Sequence, residues 1–300
     1  MGKLDITVIV LTYNEELHIK RCLESINQYA SKVYVIDCHS IDATCTIAKE
    51  LGAEVVQHDW PGNQADQFNW AIGNLKIETK WVLRLDADEY LLPELIEELK
   101  ERVPKLPDEV TGIEFKRRHI FMGRWMKHGI YPVILLRMFR TGYGCYENRL
   151  MDEHILLKSG QSVLFDNDFC DHSLISITDY CNKHIGYARR EAIEVINEVY
   201  GLSEDYNSKE GINQQGKEKH RIKQSYNKKP LFWRSFAYFL YRYILKGGFL
   251  DGKEGFLFSY IQGWWYRTLV DANILEVIKK CGEDKDIIRS YLKEEYGVVL

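Results

Sequence analysis

The chain predicts an α/β fold: an open mixed sheet flanked by helices, with a Rossmann-like nucleotide-binding half and a helical C-terminal extension. Three observations predict it. Short apolar runs alternate with helical spacings from Ile6 to Leu85. Polar residues with chemical capacity follow the runs at their carboxyl ends. Beyond residue 176 the long apolar spacings are helical. Alternation of this kind gives a layered sheet with right-handed crossovers, and such sheets bind ligands beyond the carboxyl ends of their strands.

Ile6-Thr7-Val8-Ile9-Val10-Leu11 is a continuous run rich in β-branched residues, as expected for a strand covered on both faces. Ile19, Cys22, Leu23 and Ile26 then recur at helical spacing; Asn14 is expected to cap that helix, with Glu15 and Glu16 favouring its positive end. Val33 to Asp37 reads as a strand, Asp42 to Leu51 as a helix ended by Gly52, and Glu54 to Gln57 as a strand. Gln64 to Leu75 reads as a helix and Trp81 to Leu85 as the next strand. Strands continue from Gly112 to Arg140, around the basic cluster Lys116-Arg117-Arg118-His119. Ile177 to Tyr200 reads as a long helix, and residues 201–229 as a flexible polar segment. In the tail, Phe232, Phe236, Phe239, Leu240, Tyr243 and Ile244 form an apolar stripe, interrupted by Arg234, Arg242 and Lys246. Aromatic and cationic residues in that mixture suit a membrane interface, and equally suit packing on protein.

Composition narrows the function. With 300 residues, 45% hydrophobic and 28% charged, the chain can bury a large core. A net charge of −4 argues against a nucleic-acid partner. The seven cysteines are scattered with no C-x-x-C pair, which argues for reduced thiols in a cytosolic protein rather than a zinc site or disulfide framework. Met1-Gly2-Lys3-Leu4-Asp5 runs into the first strand without a signal-peptide pattern, and no uncharged apolar stretch is long enough to span a bilayer.

The most informative segment is Asp86-Ala87-Asp88-Glu89, directly behind the strand Trp81-Val82-Leu83-Arg84-Leu85. Three carboxylates in four residues repel one another unless a cation or hydrogen-bonding ligand neutralises them. Hard oxygen ligands suit Mg²⁺ or Mn²⁺, and such ions hold diphosphates. Asp88 is the expected metal ligand, with Asp86 either bridging to the metal or accepting a ribose hydroxyl. Asp37 is placed either to accept the N3–H of a uracil or to cap the turn at Ser40. A general base is expected in Asn148-Arg149-Leu150-Met151-Asp152-Glu153-His154, where Asp152 and Glu153 both qualify. His172 is a further metal-ligand candidate, against the alternative of a structural histidine.

The combination Thr12-Tyr13-Asn14-Glu15-Glu16, Asp37-Cys38-His39-Ser40-Ile41-Asp42-Ala43-Thr44 and Asp86-Ala87-Asp88-Glu89 resembles family 2 glycosyltransferases of the GT-A fold. Arg118, Gly123-Arg124-Trp125, Tyr131-Pro132, Arg137-Met138-Phe139 and Asp251-Gly252-Lys253-Glu254-Gly255-Phe256 resemble the branch that builds lipopolysaccharide core. The resemblance implies a GT-A catalytic domain over residues 1–175 and a helical region over 176–300. It implies an inverting, non-processive transfer from a nucleotide-diphosphate sugar, UDP foremost, to a saccharide or lipid-linked glycan, with Mn²⁺ or Mg²⁺ as cofactor. Thr12, Asn14, Glu15, Asp37, Asn69 and Asp86 would bind the donor, Asp88 and Asp86 the metal, and Glu153 or Asp152 would be the base. Two departures stand out: Ser40-Ile41-Asp42 replaces the common Ser-Thr-Asp, and Phe68 rather than a basic residue precedes Asn69. Gln262-Gly263-Trp264-Trp265-Tyr266-Arg267 lacks the Q-x-x-R-W order of processive synthases. The expected setting is the inner face of the plasma membrane, as a peripheral protein, with a homo-oligomer compatible. The competing reading is a catalytically idle scaffold that binds glycan or nucleotide. A nucleotidyltransferase would show an early Gly-rich phosphate loop, which is missing between Val10 and Lys20.

Overall fold

The computed structural model describes residues 2–147, 154–202, 221 and 224–298. The chain divides into two compact units, the first reaching to Ile175 and the second running on from Ser176.

The first unit opens with β1 (Leu4–Thr12), α1 (Ile19–Ile26), β2 (Ala30–Asp37), α2 (Thr44–Glu50), β3 (Glu54–Gln57), α3 (Gln64–Asn74) and β4 (Trp81–Asp86). It continues through β5 (Glu89–Leu91), α4 (Pro93–Arg102), β6 (Val110–Phe121), β7 (Arg124–Trp125), β8 (Val133–Arg140), β9 (Gly144–Tyr146), β10 (Ile155–Leu157) and β11 (Gln161–His172). One mixed sheet runs in the order β3-β2-β1-β4-β8-β6-β11-β5, with β7 attached to β6, and β9 pairs with β10 separately. The first four strands on this path are parallel; β8 runs antiparallel to β4 and to β6.

Alternation along β1 explains why its run is apolar throughout. Ile6, Val8 and Val10 enter a core with Ile19, Leu23, Leu95 and Leu99, from α1 and α4. Ile9 points the other way, to Phe68, Ala71 and Phe139. A strand sandwiched between two cores has no polar face to show.

The sheet must curl where β4 leads into β5. Three residues of chain, from Asp86 to Glu89, reach at most about 11 Å. Yet β4 and β5 stand four places apart in the strand order, which would be roughly 19 Å in a flat sheet. Strands β8, β6 and β11 therefore wrap around the Asp86–Glu89 link and turn side chains toward it.

Two sequence expectations shift in detail. The first helix begins at Ile19, and no side chain caps it; Asn14 lies upstream with φ +53° and accepts from the Ile41 N–H at 2.9 Å instead. The second helix starts at Thr44 rather than Asp42, because the Asp42 carboxylate accepts from the Thr44 N–H at 3.0 Å and from the Thr44 hydroxyl at 2.5 Å.

In the second unit, α5 (Ile177–Tyr200) is capped by Ser176, whose Oγ accepts from the Asp179 N–H at 3.1 Å, and it stops at Gly201 with φ +58°. Most of residues 201–229 lie outside the described residues. The chain continues as α6 (Trp233–Leu240), a widened turn Tyr241–Leu245, a tight turn Gly248–Asp251, α7 (Gly252–Phe258), a second widened turn Ser259–Trp265, α8 (Tyr266–Cys281) and α9 (Lys285–Tyr296). Ala188, Ala192, Ile196, Val270, Ile274, Ile288 and Leu292 make its core. Gly255 is required by packing: a Cβ there would lie 2.4 Å from the Gly248 carbonyl oxygen. Arg234 and Arg242, which interrupt the apolar stripe in sequence, are both buried, Arg234 against Asp271 at 2.5 Å and Arg242 over the rings of Tyr238 and Phe258. Among the described residues no helix is long and apolar enough to cross a membrane.

Candidate active site

Strand register sets the site before any side chain is considered. Thr12 lies opposite Asp37 across β1 and β2, Leu11 opposite Asp86 across β1 and β4, and Asp37 opposite Gln57 across β2 and β3. These strands thus finish at one level. Asp37 and Asp86 are two strand spacings apart, roughly 10 Å.

Asp37 is fully buried and fully occupied. Its Oδ1 accepts from the hydroxyls of Thr12 at 2.9 Å and Ser40 at 2.5 Å; its Oδ2 accepts from the Ser40 N–H at 2.8 Å and the Gln57 amide at 3.0 Å. Four donors fill the four acceptor positions of a carboxylate. Burial pulls its pKa up, but these bonds, led by Ser40, hold it below the usual range. The neighbouring loops are stitched together by side chains. The Asn14 N–H donates to Ser40 Oγ at 2.7 Å, the Glu15 N–H to Thr44 Oγ1 at 2.8 Å, and the Glu16 carboxylate accepts from the Ala43 N–H at 3.0 Å. The Glu15 carboxylate meets His18 Nδ1 at 2.6 Å, while His18 Nε2 accepts from the Leu174 N–H at 2.8 Å. The His18 proton therefore lies on Nδ1, facing Glu15.

The acidic motif is asymmetric. Asp86 Oδ1 accepts from Arg84 at 2.7 Å and Oδ2 from Arg137 at 3.3 Å. Glu89 pairs with Arg137 through Oε1 and accepts from the Asp86 N–H at 2.9 Å through Oε2. Arg84 also donates to the Tyr146 hydroxyl at 2.6 Å and to Gln64 Oε1 at 2.9 Å. Burial works against ionisation of Asp86, yet Arg84 and Arg137 hold its pKa down. Burial pushes Glu89 up to about 7, against the pull of Arg137.

Asp88 has none of this support. Among the described residues its carboxylate accepts no hydrogen bond and joins no ion pair. Burial, then the carboxylates of Asp171, Asp86, Glu89 and Glu15, push its pKa well above the usual range. A half-buried carboxylate held among like charges fits a divalent cation, which would reverse every one of those repulsions. Mg²⁺ and similar ions bind through one or two protein carboxylates with phosphates and water completing the shell. Asp86, already neutralised by two arginines, is not positioned as an equal partner. His172 is not either: Arg21 Nη1 donates to its Nδ1 at 3.0 Å, so the remaining ring nitrogen carries the proton and offers no lone pair. Among the described residues no group of three or more His, Cys, Asp or Glu side chains is arranged to hold a metal ion.

Asn69 turns both polar atoms to the main chain of Tyr146, donating to its carbonyl at 3.1 Å and accepting from its N–H at 2.8 Å. It ties β9 to α3. Asp152 and Glu153 lie outside the described residues. Sequence reading missed Arg84, Arg137 and Tyr146. The signal was available for the arginines, because a lone cation inside an apolar strand demands a buried carboxylate.

The glycosyl transferase family 2 model matches residues 7–172, more than half of the chain and all of the sheet edge just described. The chain belongs to glycosyl transferase family 2. It is a transferase that takes a sugar from a nucleotide-sugar donor. An uncharacterised glycosyltransferase of Rickettsia typhi is 24% identical over 250 residues, covering 82% of this chain and 81% of the relative. For a Rickettsia bellii glycosyltransferase the identity is 35%, but the match spans only 32% of this chain and 31% of that one. The lipopolysaccharide core biosynthesis glycosyltransferase LpsC of Rhizobium meliloti is 27% identical over 158 residues, 48% of this chain and 54% of LpsC. The Pyrobaculum calidifontis mannosyltransferase PcManGT, solved with GDP-Man and Mn²⁺, superposes with a TM-score of 0.51 at 14% identity, over 92% of this chain and 88% of that chain. The shared GT-A architecture is thereby established.

Proposed function

We propose that this family 2 member is an inverting, non-processive glycosyltransferase that moves a sugar from a nucleotide-diphosphate donor, UDP foremost, to a saccharide or lipid-linked saccharide in surface-glycan synthesis. One observation carries the reading: Asp88 stands unneutralised on the edge where Thr12, Asp37 and Asp86 end their strands. Thr12, Asn14 and Glu15 frame the nucleoside side of that edge. Asp37 holds the Ser40 turn, and Asp86 holds Arg84 and Arg137 beneath the phosphates. A divalent ion on Asp88, Mn²⁺ or Mg²⁺, would neutralise the charge that builds on the departing diphosphate. Glu153, or Asp152 beside it, takes the proton of the attacking hydroxyl in a single displacement. The name of LpsC supports a lipopolysaccharide-type product, and Mn²⁺ in PcManGT supports the metal.

A peripheral membrane setting is supported by the second unit. Ile244, Leu245, Phe249 and Leu250 are 54%, 77%, 48% and 56% exposed around one turn that also carries Lys246. Apolar side chains beside a lysine suit an interfacial anchor. Liposome co-sedimentation of the full chain and of Leu245→Asp would differ on this reading, and equal pelleting would remove it.

The donor is tested by nucleotide release from UDP-, GDP- and dTDP-sugars with and without Mn²⁺. Because Asp37 is filled by Ser40, Thr12 and Gln57, the base preference has to come from the screen itself. Release from at least one donor, dependent on Mn²⁺, is expected. Tight UDP binding without turnover on any donor would instead favour the scaffold reading.

A further inference from the structure

Between Glu114 and Glu147 the chain has no acidic residue and seven lysines and arginines. Arg137 serves the acidic motif, and Arg140 donates to main-chain carbonyls at Val110 and Pro107. The others gather on the end of β6 and the turn that follows. Register places them: Arg118 lies opposite Cys170, and Cys170 opposite Tyr90, two residues after Asp88. Two strand spacings, roughly 10 Å, therefore separate this cluster from the acidic motif. It approaches through β6, β11 and β5, whereas Thr12 and Asp37 approach through β1 and β2.

The cluster is built rather than scattered. Arg118 Nε donates to Asp168 at 3.1 Å, and the Tyr131 hydroxyl donates to the other oxygen of Asp168 at 3.0 Å. The Arg118 guanidinium sits 4.0 Å from the centre of the Trp125 ring, and the Lys127 ammonium 4.8 Å from the same ring. Fixed in this way, Arg118 has two terminal nitrogens with no partner among the described residues. The indole N–H of Trp125 is buried and equally unsatisfied. Among the described residues the counter-charge is spent: Asp168 belongs to Arg118, and Asp171 is shared between Arg117 at 3.4 Å and His119 at 3.2 Å. Donors fixed in place without acceptors, with positive charge in excess, form the pattern of an anion-recognition site.

We propose that Arg118, Trp125 and Lys127 form an acceptor subsite that reads a negative group, phosphate or carboxylate, carried by the acceptor saccharide. The inference rests on the transferase reading above. An acceptor bearing such a group would be repelled by the unneutralised Asp88 as it approached. Cations on the β6 side offset that repulsion and orient the acceptor by its charged end.

The test uses the full chain with UDP and Mg²⁺ present, and measures binding of glucose, glucose 6-phosphate and glucuronate by calorimetry or ligand-observed NMR. At least one anionic sugar is expected to bind tenfold or more tightly than glucose. Arg118→Gln and Lys127→Gln should each remove roughly ten- to a hundredfold of that affinity, as for a lost charge-assisted hydrogen bond, while UDP binding stays unchanged. Lys127 is exposed, so its variant keeps the experiment valid if Arg118→Gln misfolds. Preference for the phosphate over the carboxylate identifies a phosphorylated acceptor, and the reverse an acidic sugar. Anionic sugars that bind no better than glucose, or variants that bind them as wild type does, overturn the subsite. Loss of UDP binding in the unaltered protein would strike the donor reading instead.

Discussion

Two aspartates stand on the same sheet edge and are treated in opposite ways. Asp37 is enclosed by four donors from Thr12, Ser40 and Gln57, whereas the Asp88 carboxylate is surrounded by other carboxylates and accepts from no donor among the described residues. A carboxylate whose acceptor positions are filled is a structural cross-link; it converts one loop and the ends of three strands into a rigid ledge. A carboxylate held in repulsion is costly by itself and is explained by something that arrives with positive charge. The neighbouring Asp86 shows the intermediate case, because Arg84 and Arg137 already supply that charge.

The contrast predicts opposite signatures for conservative substitutions. Asp88→Asn should lower turnover by roughly a hundredfold or more, since stabilisation of the leaving group by a metal is worth several kcal/mol. Its melting temperature should stay level or rise, because a repulsive charge is gone. Full activity in steady-state assays with saturating Mn²⁺ would break the contrast. Asp37→Asn should do the reverse in stability: an amide nitrogen would face donors in a buried site, costing about 1–3 kcal/mol. Thermal unfolding should show it as a clear drop, and an unchanged midpoint would mean the four bonds are not formed in solution.

The smallest expected effect sharpens the same rule away from the site. Glu98 on α4 accepts from the N–H groups of Asp166 at 2.8 Å and Asn167 at 2.9 Å, from the Asn167 amide at 2.9 Å, and from Arg102 at 2.5 Å. Burial raises its pKa, but these donors win and hold it below the ordinary glutamate range. A depressed folded-state pKa contributes stability above the unfolded value and loses it as pH falls through the folded one. Acid unfolding should therefore be steeper in wild type than in Glu98→Gln, which loses about 1 kcal/mol near neutrality. Identical acid profiles would sink this assignment.

Much of the fold was legible because local and long-range signals agree in the first half of the chain. β1, β2, β3, β4, α3 and α5 lie where apolar runs and spacings place them, since each run is covered on both sides or on one stripe. The rim was legible for the same reason: strands of a parallel sheet finish together, so residues following each run must share an edge. Partners across the sheet were not legible. Arg137 is 51 residues from Asp86 in sequence and meets it only because β8 pairs with β4, which no local pattern encodes. Asn14 misled for a related reason: it was read as the cap of its nearest helix, but its amide oxygen accepts from the distant Ile41 N–H. In the second unit Arg234 and Arg242 read as interruptions of an apolar stripe, with membrane interface and protein packing both open, and only tertiary packing reveals Asp271 and the rings of Tyr238 and Phe258 as their partners.

The wrapping of β8, β6 and β11 around a link of two residues has a consequence for how this protein can change. Ala87 and Asp88 close a seam between β4, in the middle of the strand order, and β5, at its end, so the spacing of the acidic residues is dictated by closure of the sheet as much as by metal chemistry. An inserted residue there would push Glu89 out of reach of Arg137 and open the wall beside it. Variation in substrate preference must therefore arise on the surrounding loops, while the length of this hinge between strands stays constant.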